Sequence, residues 1–294
     1  MFLHRQELPV SGECSFPRGF DPDFDDRDWN DDWLRLPVAQ VPPGVHPGGY
    51  RVERRLLDAV PIFDRAYRLS APLDCRLLYD PQGRLWMSDT PQERIMMVNN
   101  GRRSSGHVLI GGLGLGLYPQ VAQAGSAGAA TRFTVIERSP VVVDIVTPTL
   151  EAALDAPLTL HIGDAAEFLA GPVGQRFDTV FLDTWDTLDA AHLPMVNALR
   201  DLALRHLTPE GRVLLWGYGW MLALFEDACR QILALPPGAR HNALAAQAHD
   251  APRALALLGP VLDRFAGEPV AADIEAALGW CRGYALHVTE PVEF

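Results

Sequence analysis

The chain has 294 residues, of which 48% are hydrophobic and 21% charged, and its formal net charge is −12 at pH 7. This describes a globular protein that can bury a sizeable core, as one large domain or as one domain with a smaller one. The acidic balance disfavours binding to a nucleic-acid backbone, which requires concentrated positive charge. All 25 basic residues are arginine, which excludes a Walker P-loop and Schiff-base chemistry on a lysine.

The four cysteines, at positions 14, 75, 229 and 281, are widely separated and form no C-x-x-C pair. We therefore expect no metal site and reduced thiols in a cytoplasm. The first residues lack the basic-then-apolar order of a signal peptide. Residues 104–131 carry no charge, but seven glycines and Pro119 in this stretch disfavour a spanning helix. The sequence thus predicts a cytoplasmic protein without a membrane partner.

Residues 1–100 are interpreted as an N-terminal extension that contains a small antiparallel β layer. Within it, 21–32 holds seven aspartates and one arginine. Such a block is typical of a solvated loop, and the alternative is an acidic lid for a cationic substrate. Short β-like stretches predict strands at 50–57, 67–69, 76–79 and 85–87. Asp80-Pro-Gln-Gly83, between the last two, has the composition of a hairpin turn.

Residues 101–294 are interpreted as a Rossmann-like domain with a helical C-terminal segment. Strand and helix patterns alternate, which predicts the α/β class with a doubly wound, mostly parallel sheet. The predicted strands are 107–111, 132–137, 158–162, 177–183 and 212–216, with a turn at 208–211 before the last. The predicted helices are 117–124, 140–153, 165–170 and 189–207, followed by a mainly helical stretch to 283 and a final strand at 284–289.

A glycine-rich turn follows the first predicted parallel strand. Gly111, Gly112, Gly114 and Gly116 lie where backbone N–H groups approach a ligand in nucleotide-binding α/β units. The spacing is G-x-G-x-G, whereas dinucleotide binding requires G-x-G-x-x-G, and position 117 is Leu. The spacing therefore disfavours an NAD-dependent dehydrogenase.

Three acids follow predicted strands, at the edge where open α/β sheets bind ligands. Glu137 ends the second strand, 21 residues after Gly116, Asp164 follows the third and Asp183 ends the fourth. A carboxylate at 137 can accept both hydroxyls of a ribose, and one at 164 can accept the exocyclic amine of an adenine. Glycines with surrounding acids predict a nucleoside without phosphate, because a pyrophosphate requires amide donors at a helix N-terminus.

These motifs in this order resemble a class I S-adenosylmethionine-dependent methyltransferase. The matching segments are Gly112-x-Gly114-x-Gly116, Glu137-Arg-Ser-Pro140, Gly163-Asp-Ala165 and Phe177-Asp-x-Val-Phe-Leu-Asp183. Within that superfamily the chain is most similar to the spermidine-synthase-like branch, which has an apolar residue before the glycines, a small N-terminal β domain and a D-x-x-D-like segment. The counterparts here are Ile110, the β layer, and Asp183 with Asp186. The resemblance covers roughly residues 76–216.

The resemblance implies a role for each matched residue. The glycine turn would support the methionine part of S-adenosylmethionine. Glu137 would hold the ribose and Asp164 the adenine, and Arg138 and Ala165 are further candidate cofactor contacts. Asp183 would lie beside the sulfonium and the nucleophile, whose proton it could take if that nucleophile is an amine.

The segment after the hairpin departs from the polyamine synthases, which use an acid-rich stretch with Tyr and Glu to hold an amine. Here Ser88–Met97 has no Tyr, and Gln92 and Glu93 are the candidates for part of that role. The preferred function is therefore methyl transfer from S-adenosylmethionine to a small-molecule acceptor. Two alternatives stay open: an aminopropyltransferase that uses decarboxylated S-adenosylmethionine, and a non-catalytic nucleoside-binding module.

Further candidates surround the predicted site. Asp186 is a second candidate catalytic acid, although it could instead cap the helix predicted from 189. Trp185 and Tyr218 are candidate substrate contacts. Tyr218, with Trp216 and Trp220, either lines an acceptor pocket or packs in the core. The family also inclines toward homodimers.

Overall fold

The computed structural model describes residues 41–62, 65–124, 130–247, 252–267 and 273–292. The acidic segment 21–32 and Cys14 lie outside these ranges. The described chain forms two compact units. One unit contains Thr187–Asp201 and the chain from Gly217 onward, and the other contains the chain up to Asp186 together with Leu202–Trp216.

The second of these units begins with a four-stranded antiparallel sheet in the order β1-β2-β3-β4. Its strands are β1 Gly44–Val45, β2 Arg51–Ile62, β3 Arg65–Tyr79 and β4 Leu85–Ser88. The predicted strands at 67–69 and 76–79 are one strand, because β3 pairs with β2 from Ile62↔Arg65 to Arg51↔Tyr79. The predicted turn is confirmed: the Asp80 carboxylate accepts the backbone N–H groups of Gln82 and Arg84.

Helix α1, Pro91–Gly101, follows this sheet and was not predicted. Its start signal is present in the sequence, because Thr90 precedes Pro91 at the first helical position and Glu93 lies in the first turn. Burial of Ile95, Met96, Met97 and Val98 in succession leaves no simple apolar stripe.

The main sheet has five parallel strands in the order β7-β6-β5-β8-β9. They are β5 Gly106–Gly111, β6 Ala130–Glu137, β7 Leu158–Ile162, β8 Phe177–Leu182 and β9 Leu207–Leu215. The helices between the first four are α2 Leu117–Ala124, α3 Pro140–Ala153 and α4 Ala165–Ala170. The chain winds outward from β5 to β7 and then returns to the other side at β8, which confirms the predicted Rossmann-like α/β class.

The turn predicted at 208–211 is instead part of β9. The register passes from Phe177↔Leu207 to Thr179↔Arg212, so these four residues oppose Asp178 alone. The Thr208 hydroxyl donates to the Asp178 carboxylate at 3.0 Å and fixes this bulge.

The other unit is helical. A 3₁₀ turn, Ala190–His192, precedes α5 Leu193–Leu204, and most of α5 lies in this unit. The remaining helices that the structure describes are α6 Tyr218–Leu233, α7 Pro237–Gln247, α8 Pro252–Arg264 and α9 Ile274–His287. The fully buried Arg240 donates to the carbonyls of Leu233, Leu235 and Phe265, which ties helix ends together. Within the described ranges, every helix is too short or too polar to cross a membrane.

The strand predicted at 284–289 is wrong, because α9 continues to His287. Apolar residues at helical spacing, from Ala277 and Leu278 to Ala285 and Leu286, are buried. The Asn197 side chain donates to the carbonyls of Ala285 and Val288 and satisfies the helix end.

Candidate active site

The glycine turn connects β5 to α2 at the carboxyl end of the parallel sheet. Gly112, Gly114 and Gly116 all have positive φ, at 92°, 56° and 73°. A Cβ added to Gly112 would lie 2.1 Å from the carbonyl oxygen of Asp183, so only glycine fits there. The Asp183 N–H in turn donates to the Gly111 carbonyl at 2.8 Å. The turn and the end of β8 are therefore locked together by their backbones.

Glu137 ends β6 and is buried, with 6% exposed. One carboxylate oxygen accepts the N–H of Leu113 at 2.9 Å, and the other accepts the N–H of Ser139 at 2.8 Å. A carboxylate offers about four lone-pair positions, so both oxygens can still accept another donor. Glu137 thus fixes the glycine turn and can also contact a ligand above it.

Asp164 is exposed and precedes α4, where it serves as N-cap. Its Oδ1 atom accepts the N–H groups of Ala166 and Glu167 at 2.7 and 3.3 Å. Ala165 lies against the glycine turn, because its Cβ would be 3.1 Å from a Cβ added to Gly111. These two predicted residues therefore reach the same edge of the sheet as Gly111.

Asp183 follows β8 and is half-buried. Burial raises its pKa well above the ordinary value, and the charges of Glu93 and then Glu137 add to the effect. Asp186, three residues later, is exposed. The fold therefore brings Asp183, Glu137 and Glu93 within electrostatic reach of one another.

Glu93 comes from α1, far from the other acids in sequence. The indole N–H of Trp216 donates to its Oε2 atom at 3.0 Å. Burial raises the pKa of Glu93 to about 7, although the Trp216 hydrogen bond opposes this by favouring the charged form. Gln92 precedes it in the first turn of α1 and is half-buried.

Two tryptophans stand beside these acids. The ring centroids of Trp185 and Trp216 are 6.4 Å apart, with an interplanar angle of 50°. Trp185 is 7% exposed, and its indole N–H has no hydrogen-bond partner among the residues that the structure describes. A buried donor without a partner is costly, so a ligand acceptor would satisfy it.

Arg138 follows Glu137 and is exposed. Its guanidinium lies over the Trp86 ring of β4, with 5.7 Å between the guanidinium carbon and the ring centroid. Trp86 in turn meets Tyr50 edge-on, with centroids 6.1 Å apart. The small antiparallel sheet therefore contacts the loop that follows Glu137.

Tyr218 begins α6 in the helical unit and is buried, with 1% exposed. Its hydroxyl donates to the Asn197 side-chain oxygen at 2.6 Å. Its predicted contact with a substrate stays a prediction.

Comparison with known proteins finds no matching family model and no matching curated protein. Among solved structures, the chain is similar to CalS10, an amino pentose methyltransferase from Micromonospora echinaspora solved with S-adenosylmethionine. The identity is 19% over 40% of this chain and 45% of that one, with a TM-score of 0.28. It is also similar to the O-methyltransferase TomG from Streptomyces achromogenes, at 22% identity over 42% and 54% of the two chains and a TM-score of 0.32.

An O-methyltransferase from Bacillus cereus, solved with S-adenosylhomocysteine, matches at 23% identity over 41% of this chain and 53% of that one, with a TM-score of 0.30. The chain thus spans about half the length of these three structures. At this similarity no residue role transfers from them to this chain.

Proposed function

We propose that this chain is an S-adenosylmethionine-dependent methyltransferase that acts on a small-molecule acceptor. The observation that carries the proposal is a side-chain-free turn bordered by carboxyls at the carboxyl end of the parallel sheet. Glu137 holds the turn through the Leu113 N–H, and the Asp183 carbonyl lies against Gly112. Ligands of open α/β sheets bind at this edge, beside the point where the winding reverses.

The electrostatics favour a cationic ligand over a phosphate. Glu93, Glu137 and Asp183 form no ion pair with any described residue. A positive charge near these acids would be stabilised, because the partly dry site screens it weakly. A pyrophosphate would instead be repelled. A sulfonium ion attached to an adenosine fits this balance.

The residues at the carboxyl end of the parallel sheet, which we call the rim, would each contact a different part of the cofactor. The glycine turn would support the methionine part, and the unused lone pairs of Glu137 would accept the ribose hydroxyls, beside Arg138. Asp164 and Ala165 would border the adenine. When bound, the cofactor would supply an electrophilic methyl group on a charged sulfur, so the main task of Asp183 and its neighbours is to hold the nucleophile in line.

A second candidate is aminopropyl transfer from decarboxylated S-adenosylmethionine to an amine. Glu93 favours it, because a carboxylate next to the site would attract an ammonium group. The products separate the two reactions. Methyl transfer releases S-adenosylhomocysteine, whereas aminopropyl transfer releases methylthioadenosine.

Isothermal titration with S-adenosylmethionine, its decarboxylated form and NAD tests the proposal. We expect the first to bind, and Glu137→Gln to weaken its binding by roughly 10- to 100-fold, since a charge-assisted hydrogen bond is lost. Glu151→Gln is the matched control, because Glu151 is an exposed acid on α3. Binding of NAD alone would contradict the proposal, and binding without any product would favour the non-catalytic module.

A further inference from the structure

Glu93 is an acid that the fold holds in place without a cation. It lies half-buried in the first turn of α1, and the Trp216 indole N–H contacts its Oε2 atom at 3.0 Å. That contact leaves the Oε1 atom open to a ligand donor. An indole donor stabilises the charged carboxylate but cannot neutralise it.

The charged groups on the elements around α1 are engaged elsewhere. Helix α2, which packs on α1, carries no charged residue, and the hydroxyl of its Tyr118 lies 2.5 Å from that of Ser104. Strand β2 also packs on α1, and its arginines pair with acids of the small sheet: Arg51 and Arg55 with Glu53, and Arg54 with Asp74. On α1 itself, the buried Arg94 pairs with Asp89. The acids that face Glu93 across the site are therefore its relevant electrostatic neighbours.

Asp183 is one of these acids, and it directly follows Leu182, whose carbonyl accepts the Trp216 backbone N–H at 3.0 Å. It differs from Glu93 in one respect. No described residue donates a hydrogen bond to its carboxyl, whereas Glu93 receives the Trp216 N–H. Burial and the charges of Glu93 and Glu137 all raise the pKa of Asp183. Of two acids that share a site, the one with the donor ionises first. The Trp216 hydrogen bond therefore favours ionisation of Glu93 before that of Asp183.

We propose that Glu93 is the proton acceptor of the transfer reaction, and that Asp183 stays protonated and donates a hydrogen bond beside it. This inference rests on the proposed function. The acceptor's oxygen or nitrogen lone pair forms the bond to the transferred carbon as the sulfur–carbon bond breaks, and that electron pair stays on sulfur. The acceptor's O–H or N–H proton passes to the Glu93 carboxylate, which later returns it to water. The positive charge of the sulfonium and the negative charge of the Glu93 carboxylate are both neutralised in this step.

Infrared pH titration of the full chain without ligand tests the assignment. Between pH 5 and pH 10 we expect two protonated-carboxyl bands in the wild type: one from Glu93 that disappears near pH 7, and one from Asp183 that persists after the first has disappeared. Glu93→Gln should lack the first band and keep the second, whereas Asp183→Asn should keep the first and lack the second. A band that still disappears near pH 7 in Glu93→Gln, or the loss of that band in Asp183→Asn, would overturn the assignment.

A second variant keeps the test decisive should Glu93→Gln fail to fold. Trp216→Phe retains an aromatic ring but removes the N–H donor, so the titration midpoint should rise by about one pH unit. An unchanged midpoint in Trp216→Phe would contradict the role of Glu93, because its hydrogen bond would then have no electrostatic effect.

Transfer assays separate this inference from the proposed function. Radiolabelled S-adenosylmethionine would be offered with a panel of small hydroxyl and amine compounds. For any methylated compound, Glu93→Gln should lower kcat by roughly 10²- to 10⁴-fold, a larger factor than any change in the cofactor Kd, and the acidic limb of the pH profile should be lost. Full activity of Glu93→Gln would refute the inference alone, whereas failure of the wild type to bind the cofactor would refute the proposed function.

Discussion

On the β6 side of the rim, Glu137 accepts a backbone N–H at each carboxylate oxygen, and Asp164 accepts two at one oxygen. On the β8 side, Asp183 has no donor among the described residues, and Glu93 has a single indole N–H. Burial raises the pKa of both acids on the β8 side. The backbone of the described residues thus supplies hydrogen-bond donors to the acids on one side of this edge and none to the acids on the other side.

The largest expected effect on stability comes from a substitution that pushes the glycine turn away from the end of β8. Gly112→Ala places a Cβ 2.1 Å from the Asp183 carbonyl oxygen, at a φ of +92°. We expect a loss of stability on the order of 4 kcal/mol, measured by urea denaturation. Gly114→Ala is the matched control, since it has positive φ but no atom within 4 Å, and should cost only about 1 kcal/mol. Equal losses in the two variants would show that the β5–β8 contact is not tight.

The second largest effect is the pH dependence of stability that Glu93, on the β8 side, should cause. The Glu93 carboxyl has an ordinary pKa of 4.5, which burial raises to about 7, so the native state binds its proton more tightly than the unfolded chain. Its contribution to stability is full below pH 4.5 and is lost as the pH rises through 7. Glu93→Gln cannot ionise and should therefore exceed the wild type by up to about 3 kcal/mol at pH 8, but not at pH 4.

Thermal unfolding of both proteins across this pH range measures the difference, and Glu151→Gln on the exposed face of α3 is the control. A Glu93→Gln variant that is less stable than the wild type at pH 8 would show that burial does not destabilise the ionised form of Glu93.

On the β6 side, replacing an acid by its amide should lower the stability of the protein instead of raising it. Glu137→Gln replaces one amide-accepting oxygen with an NH₂ group that faces a backbone N–H. We expect it to destabilise the protein by about 2 kcal/mol at pH 8, because a charge-assisted hydrogen bond becomes an unpaired donor. Denaturant unfolding at that pH would check it, and an increase in stability would remove the contrast between the two sides.

The smallest effect concerns Asp164. Its carboxylate caps α4 by accepting the N–H groups of Ala166 and Glu167. Asp164→Ala should cost about 1 kcal/mol, whereas Asp164→Ser should retain most of the cap. Equal losses in the two variants, measured by thermal unfolding, would show that a capping oxygen at this position does not by itself stabilise α4.

Much of this could be predicted from local sequence. The buried runs that end at Gly111, Glu137 and Asp183 indicate parallel strands, and the topology then brings their ends to one edge. Helix α1 was missed because Ile95–Val98 is buried on several sides and gives no clear helical period. The last strand was wrongly predicted because the alternation at 284–289 also fits a buried helix end.

The pairing of Glu93 with Trp216 could not be predicted by any local pattern. The two residues are 123 positions apart, and they meet only because the helix after the small sheet packs beside the end of β9. The raised pKa of Glu93 has the same origin, since it depends on neighbours that the sequence does not place. Positions set by long-range packing therefore required the structure, whereas positions set by strand ends did not.

The buried arginine of the helical unit has a consequence for how that unit tolerates substitution. The Arg240 guanidinium donates to the carbonyls of Leu233, Leu235 and Phe265, which lie at the end of α6 and just after α8. A planar fork of five N–H donors can serve all three acceptors at once, whereas a lysine ammonium on a flexible stem offers no such fixed geometry. The chain contains no lysine at any position, so its buried carbonyl clusters depend on arginine alone for a long cationic donor.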